Sequence, residues 1–127
     1  MGVERLREAG IATAIVTRER SRAVERRAEK LGLPYLYLGV PDKARHLSVI
    51  QRETGLPTEA FAYIGDDVND LGIIALVGES GLTAAPADAE PGVLAGVHYR
   101  CVAPGGHGAF RDFAEWILSQ RCQGPSL

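Results

Sequence analysis

The sequence predicts an α/β fold with a mainly parallel sheet flanked by helices, and three observations lead to this prediction. Short apolar runs at 11–16, 35–38 and 61–64 have the length and the β-branched or aromatic content of buried strands. Amphipathic helical segments separate these runs, and glycines stand where the helices end. Strands that alternate with helices pair in parallel through right-handed crossovers. A length of 127 residues suits one such domain.

Local signals predict the individual elements. The first half is expected to contain a helix at 3–9 ended by Gly10, the strand at 11–16, a helix at 22–31 between a Ser21 cap and Gly32, the strand at 35–38, and a helix at 43–54. After the strand at 61–64, we expect a helical segment to 76, a strand at 81–84, a short helix at 91–94 and a strand at 98–102. An amphipathic helix at 109–120, with Phe110, Phe113, Trp116 and Ile117 as its core face, precedes a mobile tail at 123–127.

Composition and charge argue against several classes of partner. The net charge of -2 offers no reason to expect binding to nucleic acid or to an anionic membrane surface. The apolar runs are far shorter than a membrane span, and no basic segment followed by an apolar one resembles a signal peptide. Cys101 and Cys122 lack CxxC spacing, which favours reduced thiols in a cytoplasmic protein.

The densest group of chemically active side chains follows the apolar run at 61–64. Gly65 ends that run, and Asp66, Asp67 and Asp70 follow within five residues. Carboxylates at the end of a buried strand repel one another unless a cation or a Lys lies among them. Oxygen ligands of this kind suit Mg²⁺, which takes one or two carboxylates together with phosphate oxygens. A polar turn that caps a helix through Asp67 or Asp70 is the alternative interpretation.

Two further polar residues follow predicted strands. Thr17 ends the strand at 11–16, where a hydroxyl and backbone N–H groups can hold a phosphate, although a plain strand-end residue fits equally well. Lys43 begins a helix, a position that the helix dipole disfavours for a cation, so a functional role is plausible. Because the carboxyl ends of parallel strands meet at one edge of a sheet, we expect phosphate, carboxylate and Mg²⁺ binding in one place.

Seven segments, in this order and spacing, carry a resemblance to a known family. They are Leu6-Arg7-Glu8-Ala9-Gly10-Ile11, Ala14-Ile15-Val16-Thr17, Arg27-Ala28-Glu29-Lys30-Leu31-Gly32, Gly39-Val40-Pro41-Asp42-Lys43, Tyr63-Ile64-Gly65-Asp66-Asp67-Val68-Asn69-Asp70-Leu71, Ala85-Pro86-Ala87-Asp88-Ala89 and Gly105-Gly106-His107-Gly108-Ala109-Phe110-Arg111. The chain resembles the haloacid dehalogenase superfamily of phosphatases over essentially its whole length. It is most similar to small capless enzymes that dephosphorylate 3-deoxy-octulosonate 8-phosphate or N-acylneuraminate 9-phosphate, and to the related domain of acylneuraminate cytidylyltransferases. The resemblance implies a Rossmann-like sheet.

The resemblance also implies roles at the matching positions. Thr17 would hydrogen-bond the transferred phosphoryl group, and Lys43 would neutralise phosphate and carboxylate charge. Asp66 would be a Mg²⁺ ligand, while Asp67 and Asp70 would support the metal site or orient Lys43.

Substrate-binding candidates come from the same comparison. They are Asn69, behind the metal site, and Gly105, Gly106 and Arg111, near the substrate end of the crevice. Capless members of the family form tetramers in which a neighbour helps to close the site. One departure is that Arg18-Glu19 stands where many members have Gly-Arg or Gly-Lys, which affects the geometry of the phosphate loop.

A second departure concerns the nucleophile. The family uses an Asp-x-Asp pair at the end of its first strand, where the first Asp attacks phosphorus and the second is the general acid and base. The first Asp in this sequence is Asp42, so no segment matches that strand. We hypothesise a start assigned at an internal Met or a truncated gene product. The chain is then either a phosphatase of acidic sugar phosphates seen without its nucleophile, or a non-catalytic relative that serves as an assembly module.

The same gap concerns the sheet. In the family fold the first strand lies between the strand that ends at Thr17 and the strand that ends at Gly65. An empty slot would leave two rows of backbone groups unpaired, at about 1–3 kcal/mol for each buried group. The two strands could pair directly, another chain could supply a strand, or subunits could associate over the seam. We expect association.

Overall fold

The computed structural model describes residues 2–105 and 108–122. Along these residues the order of elements is α1 (Gly2–Glu8), β1 (Ala14–Val16), α2 (Arg22–Leu31), β2 (Tyr35–Tyr37), α3 (Lys43–Thr54), β3 (Ala62–Ile64), α4 (Leu71–Gly78), β4 (Leu82–Ala85), α5 (Pro91–Gly96), β5 (Tyr99–Arg100) and α6 (Ala109–Cys122). Short 3₁₀ turns at Thr58–Ala60 and Val68–Asp70 precede β3 and α4. The tail expected at 123–127 lies outside the described residues.

Every strand ladder is parallel, which confirms the predicted α/β class. The first sheet pairs β1 with β2, and Ile15 lies opposite Leu36. The second sheet has the order β3-β4-β5, and Tyr63 lies opposite Thr83. Helices connect successive strands in both sheets, as expected for parallel strands.

Within the described residues, β1 and β3 are edge strands of two separate sheets, so the direct pairing considered above does not form. Ala14 and Ala62 are exposed on these edges, whereas Ala84 in the central strand β4 is fully buried. Phe61, just before β3, packs both on the core beside β2 and on the core between α3 and α4. β1 and β3 therefore each have one edge without a strand partner in the described residues, and we call these two free edges the seam between β1 and β3.

The limits of α2 and α3 agree with the predicted ones because their caps are local. The Ser21 hydroxyl accepts the N–H of Ala23, and Gly32 ends α2 with a left-handed φ of 67°. Strands are shorter than expected: β1 covers only Ala14–Val16 of the predicted 11–16, and β5 covers only Tyr99–Arg100 of the predicted 98–102. The ladder requires a partner at each residue, and a sequence pattern does not show where that partner ends.

The largest core lies between α1, α6 and the three-stranded sheet. Leu6 of α1 packs with Ala84 of β4 and with Phe113 and Ile117 of α6. The predicted core face of α6 is confirmed, since Phe113 and Ile117 are buried while Phe110 and Trp116 pack half-buried against the same cluster. Among the described helices, none has the length and apolar character needed to cross a membrane.

Candidate active site

The Asp70 carboxylate is the centre of the polar network at the carboxyl ends of β2 and β3. Its Oδ1 accepts hydrogen bonds from Lys43 Nζ at 2.7 Å and from the Tyr63 hydroxyl at 2.5 Å. Its Oδ2 accepts the backbone N–H groups of Asp66 at 3.0 Å and Asp67 at 3.1 Å. The residue is only 2% exposed. Each oxygen therefore has two protein donors, and the carboxylate is fully engaged in holding Lys43 and the backbone after β3.

The chain reaches this geometry through a close approach at Gly65. A Cβ atom at Gly65 would lie 2.6 Å from the carboxyl carbon of Asp70, so a side chain there would displace the carboxylate. The 3₁₀ turn Val68–Asp70 then brings Asp70 back over the strand end. Asp67 caps this turn, and Asp70 bonds back to the N–H of Asp67 in a capping box. The predicted capping turn is therefore present, with Asp67 as its cap, and Mg²⁺ binding by these carboxylates stays a prediction.

Burial and hydrogen bonding have opposite effects on the pKa of Asp70. Burial favours the neutral acid, but the hydrogen bonds from Lys43 and Tyr63, and that from the backbone of Asp67, outweigh it and lower the pKa of Asp70 below its usual value. The Tyr63 pKa is raised, first by burial and then by its hydrogen bond to the carboxylate. At neutral pH the network therefore contains an ionised Asp70 and a protonated Tyr63 hydroxyl.

Lys43 is the first residue of α3, directly after the cap residue Asp42, whose carboxylate accepts the N–H of Arg45 at 3.2 Å. Its side chain is 13% exposed and that of Asp70 is 3% exposed. The unfavourable position of a cation at a helix start is offset by this buried carboxylate. One ammonium bond goes to Asp70, and the group has three donors in all, so it can also bind an anion at the strand ends.

Thr17 lies at the carboxyl end of β1, beside the loop that leads to Lys43. Its N–H donates to the carbonyl of Tyr37 and its carbonyl accepts the N–H of Val40, both at 2.9 Å. The Thr17 hydroxyl oxygen accepts the N–H of Glu19 at 3.1 Å. Since a hydroxyl can donate as well as accept, its hydrogen remains available for a bound anion.

Asp66, Asp67 and Asn69 are exposed at the mouth of this edge. Asp67 Oδ1 accepts the N–H of Val68 at 2.7 Å, whereas the Asp66 carboxylate makes no hydrogen bond or ion pair within residues 2–105 and 108–122. No cluster of three or more His, Cys, Asp or Glu side chains suited to a metal occurs in that part of the chain. Asp66 is therefore the carboxylate that the geometry leaves available to a cation, and Asp70 is placed to orient Lys43.

The remaining candidates differ in how they relate to this centre. The N–H of Gly105 donates to the Asp88 carboxylate at 2.8 Å. Two residues further along the loop that contains Asp88, the N–H of Glu90 donates to the carbonyl of Asp66 at 3.0 Å. Gly105 is thus joined to Asp66 through the loop at 86–90. Arg111 lies exposed on the first turn of α6, and Gly106 lies outside the described residues.

Two contributions to the site were missed at the level of sequence. Tyr63 was assigned only to a buried strand, and its hydroxyl contact with Asp70 has no sequence signal beyond the spacing of seven residues. Asp88 was part of a motif with no assigned role, although Asp is typical of residues that bind backbone N–H groups in loops. Either contact can be found only when the three-dimensional path of the chain is known.

Comparison with known proteins agrees with the predicted family and fold. The chain is 38% identical over 117 residues to the 3-deoxy-D-manno-octulosonate 8-phosphate phosphatase KdsC of Yersinia pestis, covering 92% of this chain and 61% of that protein. It is 34% identical to KdsC of Haemophilus influenzae, covering 99% of this chain and 67% of that protein. The chain thus spans about three fifths of the first of these relatives and two thirds of the second.

A solved structure has a similar fold. The 3-deoxy-D-manno-octulosonate 8-phosphate phosphatase of Moraxella catarrhalis, in complex with magnesium ion, phosphate ion and KDO, superposes with a TM-score of 0.85 at 33% identity, over 93% of this chain and 66% of that one. No family model matches the sequence. From the relatives and the shared fold, the chain belongs to the phosphatases of the haloacid dehalogenase superfamily, in the family of the 3-deoxy-D-manno-octulosonate 8-phosphate phosphatases.

Proposed function

We propose that this chain is a phosphatase-family domain for acidic sugar phosphates, either 3-deoxy-octulosonate 8-phosphate or N-acylneuraminate 9-phosphate. In the complete enzyme the reaction is Mg²⁺-dependent hydrolysis of the phosphomonoester through an aspartyl-phosphate. The observation that carries the proposal is the buried pair in which Asp70 holds the Lys43 ammonium at the carboxyl ends of the strands. The relatives named KdsC support the substrate class.

The chemistry assigned to these residues is binding and charge neutralisation. The Thr17 hydroxyl donates to a phosphoryl oxygen, and Lys43 neutralises the negative charge that phosphate and carboxylates bring together. Asp66 is the residue we assign to Mg²⁺, with Asp67 beside it; the ion supplies Lewis-acid stabilisation of phosphoryl oxygens when bound. Gly105, Gly106, Arg111 and Asn69 are assigned to the substrate end of the crevice.

As a 127-residue chain, the domain is proposed to be inactive toward phosphomonoesters. Thr17 and Lys43 stabilise charge, and neither can replace a carboxylate that attacks phosphorus. Thr17 directly follows β1, so a strand added in parallel along the free edge of β1 would bring its own carboxyl end to the same edge of the sheet. Asp42 is the first Asp of the sequence, and its carboxylate caps α3.

The alternative is a non-catalytic assembly module related to the C-terminal domain of acylneuraminate cytidylyltransferases. The observation that favours it is the absence of an Asp-x-Asp pair from the sequence. For either function we propose a cytoplasmic homo-oligomer, tetrameric as in the capless relatives. The reduced state expected in the cytoplasm fits Cys101, a free thiol buried in the core.

Phosphate release by two proteins tests the proposal. The 127-residue chain and a version extended at its N-terminus by an Asp-x-Asp strand are assayed with Mg²⁺ on both sugar phosphates. We expect a background rate for the first and Mg²⁺-dependent release for the second, lost on Lys43→Met. Robust hydrolysis by the shorter chain would show that another nucleophile exists. An extended protein that binds but never hydrolyses these compounds would favour the assembly module.

A further inference from the structure

The loop after β5 runs beside the loop after β4 at the carboxyl edge of the second sheet. The N–H of Cys101 donates to the carbonyl of Ala85 at 2.8 Å, and the N–H of Ala87 donates to the carbonyl of Ala103 at 3.0 Å. Donors and acceptors that alternate in this way between two parallel segments continue the pattern of a parallel ladder. The two loops are therefore joined by backbone bonds as far as residue 103.

Asp88 makes the next bond of this series with its side chain. Its carboxylate accepts the N–H of Gly105 at 2.8 Å. A tight turn presents this carboxylate, because the N–H of Ala89 donates to the carbonyl of Pro86 at 3.1 Å and Asp88 occupies a central position between them. Pro86 and Ala89 are buried, whereas Asp88 is exposed. The turn is thus anchored in the core at both ends, and its carboxylate is held against the loop that carries Gly105.

The same turn is attached to the other end of the candidate site. Directly after it, the N–H of Glu90 donates to the carbonyl of Asp66 at 3.0 Å, and Asp66 is the carboxylate that we assign to Mg²⁺. The Glu90 side chain accepts the N–H of Gly92 at 2.9 Å and caps α5. The segment 86–90 therefore bonds to the chain after β3 through Glu90 and to the chain after β5 through Asp88.

The Asp88 carboxylate acts in this contact as a hydrogen-bond acceptor and not as the partner of a cation. It makes no ion pair within residues 2–105 and 108–122. The amide oxygen of an asparagine also accepts an N–H, whereas the side chain of an alanine offers no acceptor. Asp88→Asn should therefore keep the bond to Gly105, and Asp88→Ala should remove it.

We infer that Asp88 is a positioning residue that fixes the loop carrying Gly105 relative to Asp66 and so favours long phosphomonoesters over short ones. The inference rests on the proposed function, in which Asp66 serves the phosphate end of the substrate and Gly105 its other end. An octulosonate 8-phosphate carries phosphate and carboxylate at opposite ends of its carbon chain, so both ends are bound together only when the two parts of the site keep a fixed separation. A short phosphomonoester such as p-nitrophenyl phosphate engages the phosphate end alone.

Steady-state kinetics of the N-terminally extended protein with two substrates test the inference. Asp88→Ala should raise KM for the better of the two sugar phosphates roughly fivefold, with kcat changed less than about twofold, and should leave kcat/KM for p-nitrophenyl phosphate within about twofold. Asp88→Asn should behave like the original protein with both substrates. Equal losses on the two substrates would indicate a general loss of structure and would overturn the inference. Unchanged kinetics of Asp88→Ala, or an Asp88→Asn protein as impaired as Asp88→Ala, would overturn it too.

Hydrogen exchange in the 127-residue chain tests the contact without any activity. The Gly105 amide should exchange slowly in the original chain and in Asp88→Asn, and roughly fivefold faster or more in Asp88→Ala. Glu90→Ala is the matched control, since it removes the α5 cap in the same segment and should leave the exchange of Gly105 unchanged. Rapid exchange of Gly105 in the original chain would overturn the inference. Slow exchange, together with an extended protein that hydrolyses neither sugar phosphate, would overturn the proposed function and the selectivity inferred from it.

Discussion

Lys43 and Asp70 are 27 positions apart in the chain, and their side chains meet at 2.7 Å with almost no contact with solvent. The pair joins the start of α3, which follows the two-stranded sheet, to the turn after β3 in the three-stranded sheet. It is a buried polar link between two sheets that share no backbone ladder within the described residues. The same contact fixes the ammonium at the edge where we place phosphate.

Removing the charge of Asp70 should destabilise the fold in a pH-dependent way. Asp70→Asn leaves the buried ammonium of Lys43 without its counter-charge, and we expect a loss of about 3 kcal/mol in the free energy of unfolding at pH 7. Because the pKa of Asp70 in the folded protein lies below its ordinary value of 3.8, this stability is complete above pH 3.8 and disappears as the pH falls through the folded pKa. Denaturant unfolding of both proteins between pH 7 and pH 2 measures the difference.

The exposed pair Arg5–Glu115 provides the control for that experiment. These side chains also lie 2.7 Å apart, but they are 49% and 43% exposed. Solvent screens such a pair, so Glu115→Gln should leave stability nearly unchanged. Equal effects of the two substitutions, or an effect of Asp70→Asn that does not shrink as the pH falls below 3.8, would contradict the role assigned to burial.

A side chain at position 65 should disrupt the site. The Cβ of Gly65→Ala would lie within 2.6–2.8 Å of the Asp70 carboxyl group, so either the turn or the strand must shift. We expect a loss of about 2 kcal/mol in thermal or denaturant unfolding. Gly96→Ala is the matched control, since Gly96 ends α5 and a Cβ added there would meet no atom within 4 Å. A fully stable Gly65→Ala protein would show that the approach of Asp70 is not tight.

Magnesium binding by the 127-residue chain should be weak and should depend on Asp66. The chain offers the ion the Asp66 carboxylate with Asp67 beside it, which is a small ligand set. Mg²⁺ in such sites takes further oxygens from the substrate phosphate, so without substrate the binding should be weak. Isothermal titration should show binding weaker than micromolar, further reduced by Asp66→Asn. Glu79→Gln, which alters an exposed carboxylate outside the site, should change nothing. Micromolar or tighter binding that survives Asp66→Asn would place the ion elsewhere.

Hydrogen exchange should report whether association covers the seam. The N–H of Thr17 donates to Tyr37 across the β1–β2 ladder, so by alternation the N–H of Val16 faces the seam. The N–H of Gly65 donates to Ala84, so the N–H of Ile64 faces the seam from the other side. We expect both amides to be protected in the concentrated assembly and to exchange rapidly in dilute monomer.

The neighbouring amides are internal controls for this measurement. Ile15 and Tyr63 donate within existing ladders by the same alternation, so they should be protected at every concentration. A stable monomer in which Val16 and Ile64 are also protected would indicate that β1 and β3 pair directly in solution. Rapid exchange of both amides in a proven oligomer would show that the subunits meet at another surface.

The sequence by itself determined the features that depend on neighbours along the chain. Ser21 and Gly32 cap α2 where predicted, and the α/β order and the position of the acidic run after β3 follow from local composition and periodicity. These features are readable because a cap or a strand end is decided by a few adjacent residues. The placement of Thr17, Lys43 and Asp66 at strand ends belongs to the same class of information.

Tertiary structure decided which of these residues act together. Whether Asp70 would bind a metal or orient Lys43 was open in the sequence, and the approach of α3 brought the ammonium and Tyr63 onto the same carboxylate oxygen. The separation of β1 from β3 and the exposure of Leu76 likewise depend on which surfaces meet in space. The physical reason is that these contacts join residues far apart in the chain, and their energies depend on burial and distance that no local pattern encodes.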